Sequence, residues 1–429
     1  MLAGGRHSPN NSEVATAVSG PLSSLRPEYR LLICCARTRA DTANTEQIRM
    51  LVKEELNWAD LFTASVAHGV TSLLFNQLSA QRVDGIPAPW MERLRQAFHQ
   101  NARHNLLLTS ELFRILEACQ TSRIPAIPYK GPVLAELAYG NIAFRQFSDL
   151  DIITRQRDIA GVYATMSKLG YEAHFPLPPS FPSDQRIPGQ YAFYHDARRT
   201  LVEIHTERTL RYFPVPLDVD TLLGRLEPVL VGGHSLLTLS VEDALPALCV
   251  HASKHFWERI SWIADIAELS QIDRGVDWDL ALFRARSLGA ERMLLLGLHL
   301  ANDILDAPLP ELILRHGQAD PTVRRLGGLV RHQLSNGTGE TPGVADRVMF
   351  RLRMRGSYWT GISYLFRLAT APTEEDWSQV RLKGPFSSLY AAFRPFRLLR
   401  KYGLGVFGNR TVSEKSPRES SAEPTHRSS

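Results

Sequence analysis

The chain has 429 residues, of which 44% are hydrophobic and 22% are charged. This composition suits two to three packed domains and excludes a chain that is disordered throughout. Lys and Arg outnumber Asp and Glu, 49 against 44, and the excess is concentrated between residues 346 and 410, where twelve basic residues stand against four acidic ones. A basic face of this kind is most often only solvated, although it would also suit nucleic acid, a nucleotide or an anionic membrane surface.

The four cysteines show no spacing typical of metal ligands, and Cys119 and Cys249 lie in apolar helical patterns. We therefore expect buried thiols in a reducing compartment. The N-terminal residues lack the apolar segment of a signal peptide, and no apolar run reaches the roughly eighteen residues of a membrane span. The sequence predicts a cytoplasmic protein with no membrane span.

In chain order, the sequence divides into six parts. We predict an α+β fold, with a small mixed sheet flanked by N-terminal and C-terminal helical regions. The parts are a disordered N-terminus (1–26), a helical region (27–121), the mixed core (122–240), a helical domain packing on it (241–335), a basic helical region (336–411) and a disordered tail (412–429).

Within the core, a short apolar run ending in Lys130-Gly131 predicts a strand and a turn, and the segment PVLAELAYG predicts a helix that stops at Gly140. SDLDIIT alternates acidic and apolar residues, which is typical of a strand. A helix over Ile159 to Leu169 follows, and then a hairpin that turns at Asp196 to Arg199. From Val241 a long helical pattern begins, with a break near Pro246.

The strongest chemical signal is the pair Asp149 and Asp151. Residues two apart on a strand face the same side, so the two carboxylates lie a few ångströms apart. They repel each other unless a cation or a proton shares the site. Mg²⁺, or Mn²⁺ in its place, would accept these oxygens and still leave room for phosphate oxygens.

Five further residues complete this interpretation. Glu203, on a later strand, supplies a third carboxylate as a metal ligand or general base. Gly131 opens a helix whose N-terminus favours an anion, and Lys130 would neutralise a phosphate. Arg145 is placed to clamp a triphosphate, and Ser148 to donate a hydrogen bond to it.

A helix carries Lys254 and His255, with His251 one turn before. Three interpretations stay open: a polar stripe that packs on the core, contact of Lys254 or His255 with a nucleotide, or a zinc site that lacks an evident third ligand.

These residues carry a family resemblance. Lys130-Gly131, the segment Arg145 to Asp151, and Val202 to His205 resemble the DNA polymerase beta-like nucleotidyltransferases, and more narrowly a bacterial family of uncharacterised nucleotidyltransferases. Tyr139-Gly140, Gly170-Tyr171 and the stretch from His251 to Asp265 are also similar to that family. The superfamily has a serine after the glycine, whereas this chain has Pro132, which offers neither an N–H nor a hydroxyl.

The resemblance implies transfer of a nucleoside monophosphate from an NTP to a hydroxyl-bearing acceptor, with release of pyrophosphate. It leaves the acceptor unknown, but favours a small molecule, a surface-polysaccharide precursor or a peptide precursor. Two alternatives remain: a nucleotide-binding module without turnover, and a toxin-like enzyme that modifies RNA 3′ ends. RNA is therefore a possible but not favoured partner, and the oligomeric state is open.

Overall fold

The structure is a computed structural model that describes residues 25–81, 83–174, 189–206, 218–335 and 343–356, together with residues 361, 362, 364 and 366. The two predicted disordered termini, apart from residues 25 and 26, lie outside these ranges. So does most of the predicted basic region 336–411. The division into six parts therefore stays a prediction.

In the part of the chain that the structure describes, five helices precede the sheet, and side chains near their first residues explain where several begin. Asp41 caps the second helix by accepting a hydrogen bond from the backbone N–H of Asn44, and Asn57 caps the third in the same manner. Pro27 stands in the first turn of the first helix, where no N–H is needed. These helices are α1 (Pro27–Cys35), α2 (Thr42–Val52), α3 (Trp58–Ala67), α4 (Thr71–Ala80) and α5 (Ala88–Thr121).

The central sheet has five strands in the order β1-β2-β5-β4-β3. Strands β2 and β5 are parallel, and the other neighbours are antiparallel, so the sheet is mixed. The strands are β1 (Ile127–Pro128), β2 (Asp149–Ile153), β3 (Glu172–Ala173), β4 (Gln190–His195) and β5 (Thr200–His205), with α6 (Gly131–Tyr139) between β1 and β2 and α7 (Ile159–Lys168) between β2 and β3.

The sheet and the long helix α5 share one apolar core. Leu108, Leu112 and Ile115 of α5 are buried with Ile152 and Val202 of the central strands. This arrangement confirms the predicted α+β class, and the predicted hairpin is the antiparallel pair β4 and β5. A second hairpin, β6 (Glu227–Val231) and β7 (His234–Thr238), lies in a stretch for which the sequence analysis predicted no element.

Helices then return and enclose a second, larger core. The predicted break near Pro246 is wrong, because the helix runs through this proline and ends at Lys254. The chain turns at Phe256 and Trp257, which both have left-handed backbone angles, φ 59° and 55°. A short helix, α8 (Val219–Leu223), precedes the second hairpin. The helices after it are α9 (Val241–Lys254), α10 (Ile260–Leu269), α11 (Trp278–Ser287), α12 (Glu291–Leu305), α13 (Glu311–Ala319), α14 (Pro321–Ser335) and α15 (Val344–Arg353).

All four cysteines are free and buried, as the sequence predicted for Cys119 and Cys249. Among the described residues, no helix combines the length and the apolar character that crossing a bilayer requires.

His68 lies between α3 and α4, where its backbone oxygen accepts a hydrogen bond from the N–H of Ser261 on α10. The ring is buried and meets Tyr29 edge to face. Burial lowers the pKa of His68 from 6.5 to about 4, although the nearby backbone of Glu258 acts in the opposite direction. His68 is therefore neutral in the folded protein at neutral pH.

We expect acid to destabilise the protein through His68. Between pH 6.5 and 4 the unfolded chain binds the proton and the folded chain does not, so this contribution is complete above pH 6.5 and is lost as the pH falls towards 4. Its size is about 3 kcal/mol. Urea unfolding of the wild type and of His68→Phe across this range should show the shallower pH dependence in the variant; parallel curves would contradict the assignment.

Candidate active site

The site is built on the two parallel strands of the sheet. In their register, Asp149 lies opposite Leu201, and Asp151 lies opposite Glu203. Because side chains alternate along a strand, the three acids share one face of the sheet. This is the grouping that the sequence predicted, and the parallel register brings Glu203 beside Asp151.

His205 belongs to the same group. The ligand atoms of Asp151, Glu203 and His205 all lie within 4.8 Å of one another. His205 Nε2 lies 2.8 Å from Asp151 Oδ1 and 3.6 Å from Glu203 Oε2. The sequence analysis assigned no role to His205, although its place two residues after Glu203 on one strand was the signal for it.

Lys130 forms a buried ion pair with Asp151. Its Nζ lies 2.8 Å from Asp151 Oδ1, and the two side chains are 7% and 4% exposed. Burial alone would lower the pKa of Lys130, but the charge of Asp151 raises it above its usual value. Burial likewise opposes ionisation of Asp151, yet Lys130 and His205 hold its pKa well below the usual range. Both groups therefore stay charged.

Asp149 has the opposite tendency. Burial, followed by the nearby charge of Asp151, raises the pKa of Asp149 above its usual value. Two carboxylates on one strand thus differ in how easily they ionise. A divalent cation would offset the free-energy cost of ionising Asp149. Both described contacts of Asp151 end on Oδ1, so Oδ2 is the oxygen that it would offer to a metal. The donor set of carboxylates and one imidazole fits such an ion.

Lys130-Gly131 forms the turn from β1 into α6, as predicted. Gly131 has φ +56°, a conformation that favours glycine, and a Cβ there would lie 3.5 Å from the backbone oxygen of Asp149. Pro132 lies in the first turn of α6, where it fits the helix but supplies no N–H. Ser148 is exposed directly before β2.

Arg145 is buried in an ion pair that the sequence did not predict. Its Nε and one Nη donate to the two carboxylate oxygens of Asp265 on α10, at 2.9 and 3.0 Å. The hydroxyl of Tyr139 donates to the same carboxylate at 2.7 Å. Contact of Arg145 with a triphosphate would require it to leave this pair, so that part of the hypothesis stays a prediction.

Two asparagines of α5 hold the segment that leads into β2. The side-chain amide of Asn101 donates to the backbone oxygen of Ala143 at 2.9 Å, and that of Asn105 donates to the backbone oxygen of Arg145 at 2.8 Å. Sequence reasoning missed both, because an asparagine in a helix carries no signal of a partner about 40 residues away.

The end of α9 faces the site. Burial, followed by the charge of Lys130, lowers the pKa of Lys254 to about 8, and Glu203 acts in the opposite direction. Burial and the charge of Lys254 lower the pKa of His255 to about 3. The rings of His251, His255 and Trp262 form one cluster with centroids 4.9 to 5.6 Å apart.

A family model described as an uncharacterised nucleotidyltransferase matches residues 54–306, which is more than half of the chain. The chain belongs to that family. The protein is thus an enzyme of the nucleotidyltransferase class, and the match includes every predicted site residue from Lys130 to His255. Neither the curated proteins nor the solved structures gave a match.

The two aspartates of this nucleotidyltransferase should respond differently to the same substitution. Asp151→Asn leaves the Lys130 charge buried and unpaired, so we expect a loss of about 3–5 kcal/mol. Asp149→Asn removes a charge that the fold disfavours, so its free energy of unfolding should be unchanged or higher. Urea unfolding at pH 7.5 with EDTA measures both variants. Equal destabilisation would contradict the assigned charge states.

Asp265 and its two partners, Arg145 and Tyr139, should together increase the free energy of unfolding. Asp265→Asn leaves the Arg145 guanidinium buried without its counter-charge, and we expect a loss of about 3–5 kcal/mol. Tyr139→Phe removes one hydrogen bond and should cost about 1 kcal/mol. Urea midpoints of the two variants, measured side by side, check this order; a larger loss in Tyr139→Phe would overturn it.

Proposed function

We propose that this protein transfers a nucleoside monophosphate from an NTP to a hydroxyl-bearing acceptor and releases pyrophosphate, as a polymerase beta-like nucleotidyltransferase. The observation that carries the proposal is the set of three carboxylates, Asp149, Asp151 and Glu203, on one face of two adjacent parallel strands. A buried lysine beside them adds the positive charge that a phosphate substrate requires.

The proposed metal is Mg²⁺ or Mn²⁺, held by Asp149, Asp151 and Glu203, with His205 as an additional donor. When bound, such an ion neutralises phosphate oxygens and lowers the pKa of a bound hydroxyl. Support comes from the raised pKa of Asp149, because a carboxylate that resists ionisation beside two others gains most from a cation.

Glu203 is the proposed general base. Its side chain is 22% exposed, against 4% for Asp151, so an acceptor reaches it more easily. The acceptor oxygen forms a bond to the α-phosphorus, and the bond from that phosphorus to the bridging oxygen breaks. Glu203 takes the hydroxyl proton, and pyrophosphate leaves with the bonding electron pair.

The nucleotide would lie between the N-terminus of α6 and the end of α9. In this arrangement, Lys130, Lys254 and Ser148 bind the triphosphate, and Gly131 allows the backbone to approach it. His255, neutral at pH 7 because its pKa is low, would contact the base or the ribose. We assign Arg145 to positioning β2 through Asp265.

For the acceptor, we favour a small molecule, a surface-polysaccharide precursor or a peptide precursor. A second candidate is a module that binds a nucleotide without turnover. One observation favours it: Pro132, in the first turn of α6, lacks the N–H that would otherwise donate to a phosphate. A toxin-like transfer to RNA 3′ ends shares the chemistry and differs in the acceptor alone.

The decisive experiment incubates the purified protein with Mg²⁺, each of the four α-labelled NTPs and a cell lysate. We expect pyrophosphate release and labelled product with the wild type, and a loss of at least 100-fold in Asp149→Asn, because the variant loses a metal ligand but keeps its fold. Asp196→Asn, which makes the same change in the exposed turn between β4 and β5, should retain full activity.

The fraction that carries the label names the acceptor class. Label in small molecules or peptides would support the favoured acceptors, whereas label in RNA would support the toxin-like alternative. Label that persists unchanged in Asp149→Asn would contradict the proposed site. Nucleotide binding without any labelled product would favour the module without turnover.

A further inference from the structure

Helix α15 lies outside the segment that matches the family, yet it packs against the end of α9 beside the site. One Nη of Arg351 donates to the backbone oxygen of Lys254 at 2.9 Å. The aromatic ring of Phe350 meets that of Phe256 at 5.3 Å between centroids. Helix α15 is therefore fixed to Lys254, a residue that the proposed function places at the nucleotide.

The backbone turn after α9 creates this contact. Phe256 and Trp257 have consecutive left-handed conformations, which cost of order 1–3 kcal/mol each for residues with a side chain. The turn buries Trp257 in the core and presents the Phe256 ring to two arginines. The guanidinium carbons of Arg351 and Arg347 lie 4.9 and 5.7 Å from the centre of that ring.

These contacts bring two arginines to the end of α9, where Lys254 lies. Burial, and then the charges of Lys130 and Arg351, lower the pKa of Lys254, whereas Glu203 and Asp151 act in the opposite direction. Among the described acids, Glu258 also lies near the two arginines; burial raises its pKa, although Arg347 and Arg351 oppose that change. Like charges in one half-buried region repel each other, and a polyanion placed among them would remove that repulsion.

We propose that Arg351 is a phosphate-binding residue, which joins Lys130 and Lys254 to hold the triphosphate of the donor nucleotide. The inference rests on the proposed function and deepens it. Carboxylates that suit a divalent cation and a group of cations stand close together, and a polyphosphate is the ligand that uses both. The predicted basic region thus contributes to the site itself through α15.

Inorganic tripolyphosphate with Mg²⁺ tests the inference without any turnover. Isothermal titration of the full-length protein should show tripolyphosphate binding about 10-fold weaker or more in Arg351→Gln, a loss of about 1.4 kcal/mol. Binding of nucleoside monophosphates should not change. Arg353→Gln is the matched control, since it removes the same charge from the same helix and Arg353 lies beside Arg325 instead. Equal tripolyphosphate affinity in wild type and Arg351→Gln would overturn the inference.

A second measurement uses the wild-type protein, in case Arg351→Gln does not fold. Phenylglyoxal modifies arginine side chains, and mass spectrometry locates the modified residue. Tripolyphosphate with Mg²⁺ should protect Arg351 and leave the reactivity of Arg353 unchanged. Identical modification of Arg351 with and without tripolyphosphate would refute the assignment. An Arg351 that served only to anchor α15 would also give this result.

The two proposals fail in different ways. If tripolyphosphate binding depends on Arg351 but no NTP yields labelled product, the proposed transfer fails and the phosphate contact stands. If labelled product depends on Asp149 but Arg351→Gln leaves tripolyphosphate affinity unchanged, the phosphate contact fails and the proposed transfer stands.

Discussion

The buried ion pair between Lys130 and Asp151 is the interaction on which the rest of the site depends. A carboxylate with 4% exposure would be costly to ionise alone, and the ammonium group of Lys130 removes that cost. The pair also joins β2 to the turn that begins α6, so it fixes the helix N-terminus relative to the acidic strand. Asp151 stays charged, and burial together with this negative charge raises the pKa of Asp149. The site therefore combines one permanently charged carboxylate with one that titrates.

The helices that follow the sheet contribute to this site at two points. Asp265 on α10 holds Arg145, which in turn precedes the acidic strand, and Lys254 at the end of α9 extends the positive charge of Lys130. Both contacts depend on the sharp turn at Phe256 and Trp257, because that turn sets the direction of α10 relative to α9. The sheet thus supplies the acids, and the turn between β1 and α6 supplies the Lys130 counter-charge. The later helices hold Arg145 through Asp265 and add Lys254.

Local patterns in the sequence were enough to predict the sheet elements that carry the acids. Alternation along β2 and β5 predicted that the side chains share a face, and the observed register confirmed the juxtaposition of Asp151 and Glu203. Partners distant in the chain were not predictable in this way. The contact of Arg145 with Asp265 spans 120 residues, and an arginine near a phosphate motif has the same local sequence whether it binds phosphate or a buried carboxylate. The uninterrupted helix at Pro246 was also missed, because tertiary packing overrides the local preference of proline.

The hydrogen bond between Arg351 and Lys254 joins residues 97 positions apart, and this separation has a consequence for synthesis. The ribosome releases the acidic strands long before helix α15, at about 5–20 residues per second. During that interval, the nascent chain can assemble the sheet while the arginine-bearing helix is still absent. The long loop that this contact closes also adds non-local contacts, which slow folding. The contact between Arg351 and Lys254 therefore forms as a late step of chain completion, after the acidic strands have been able to pair.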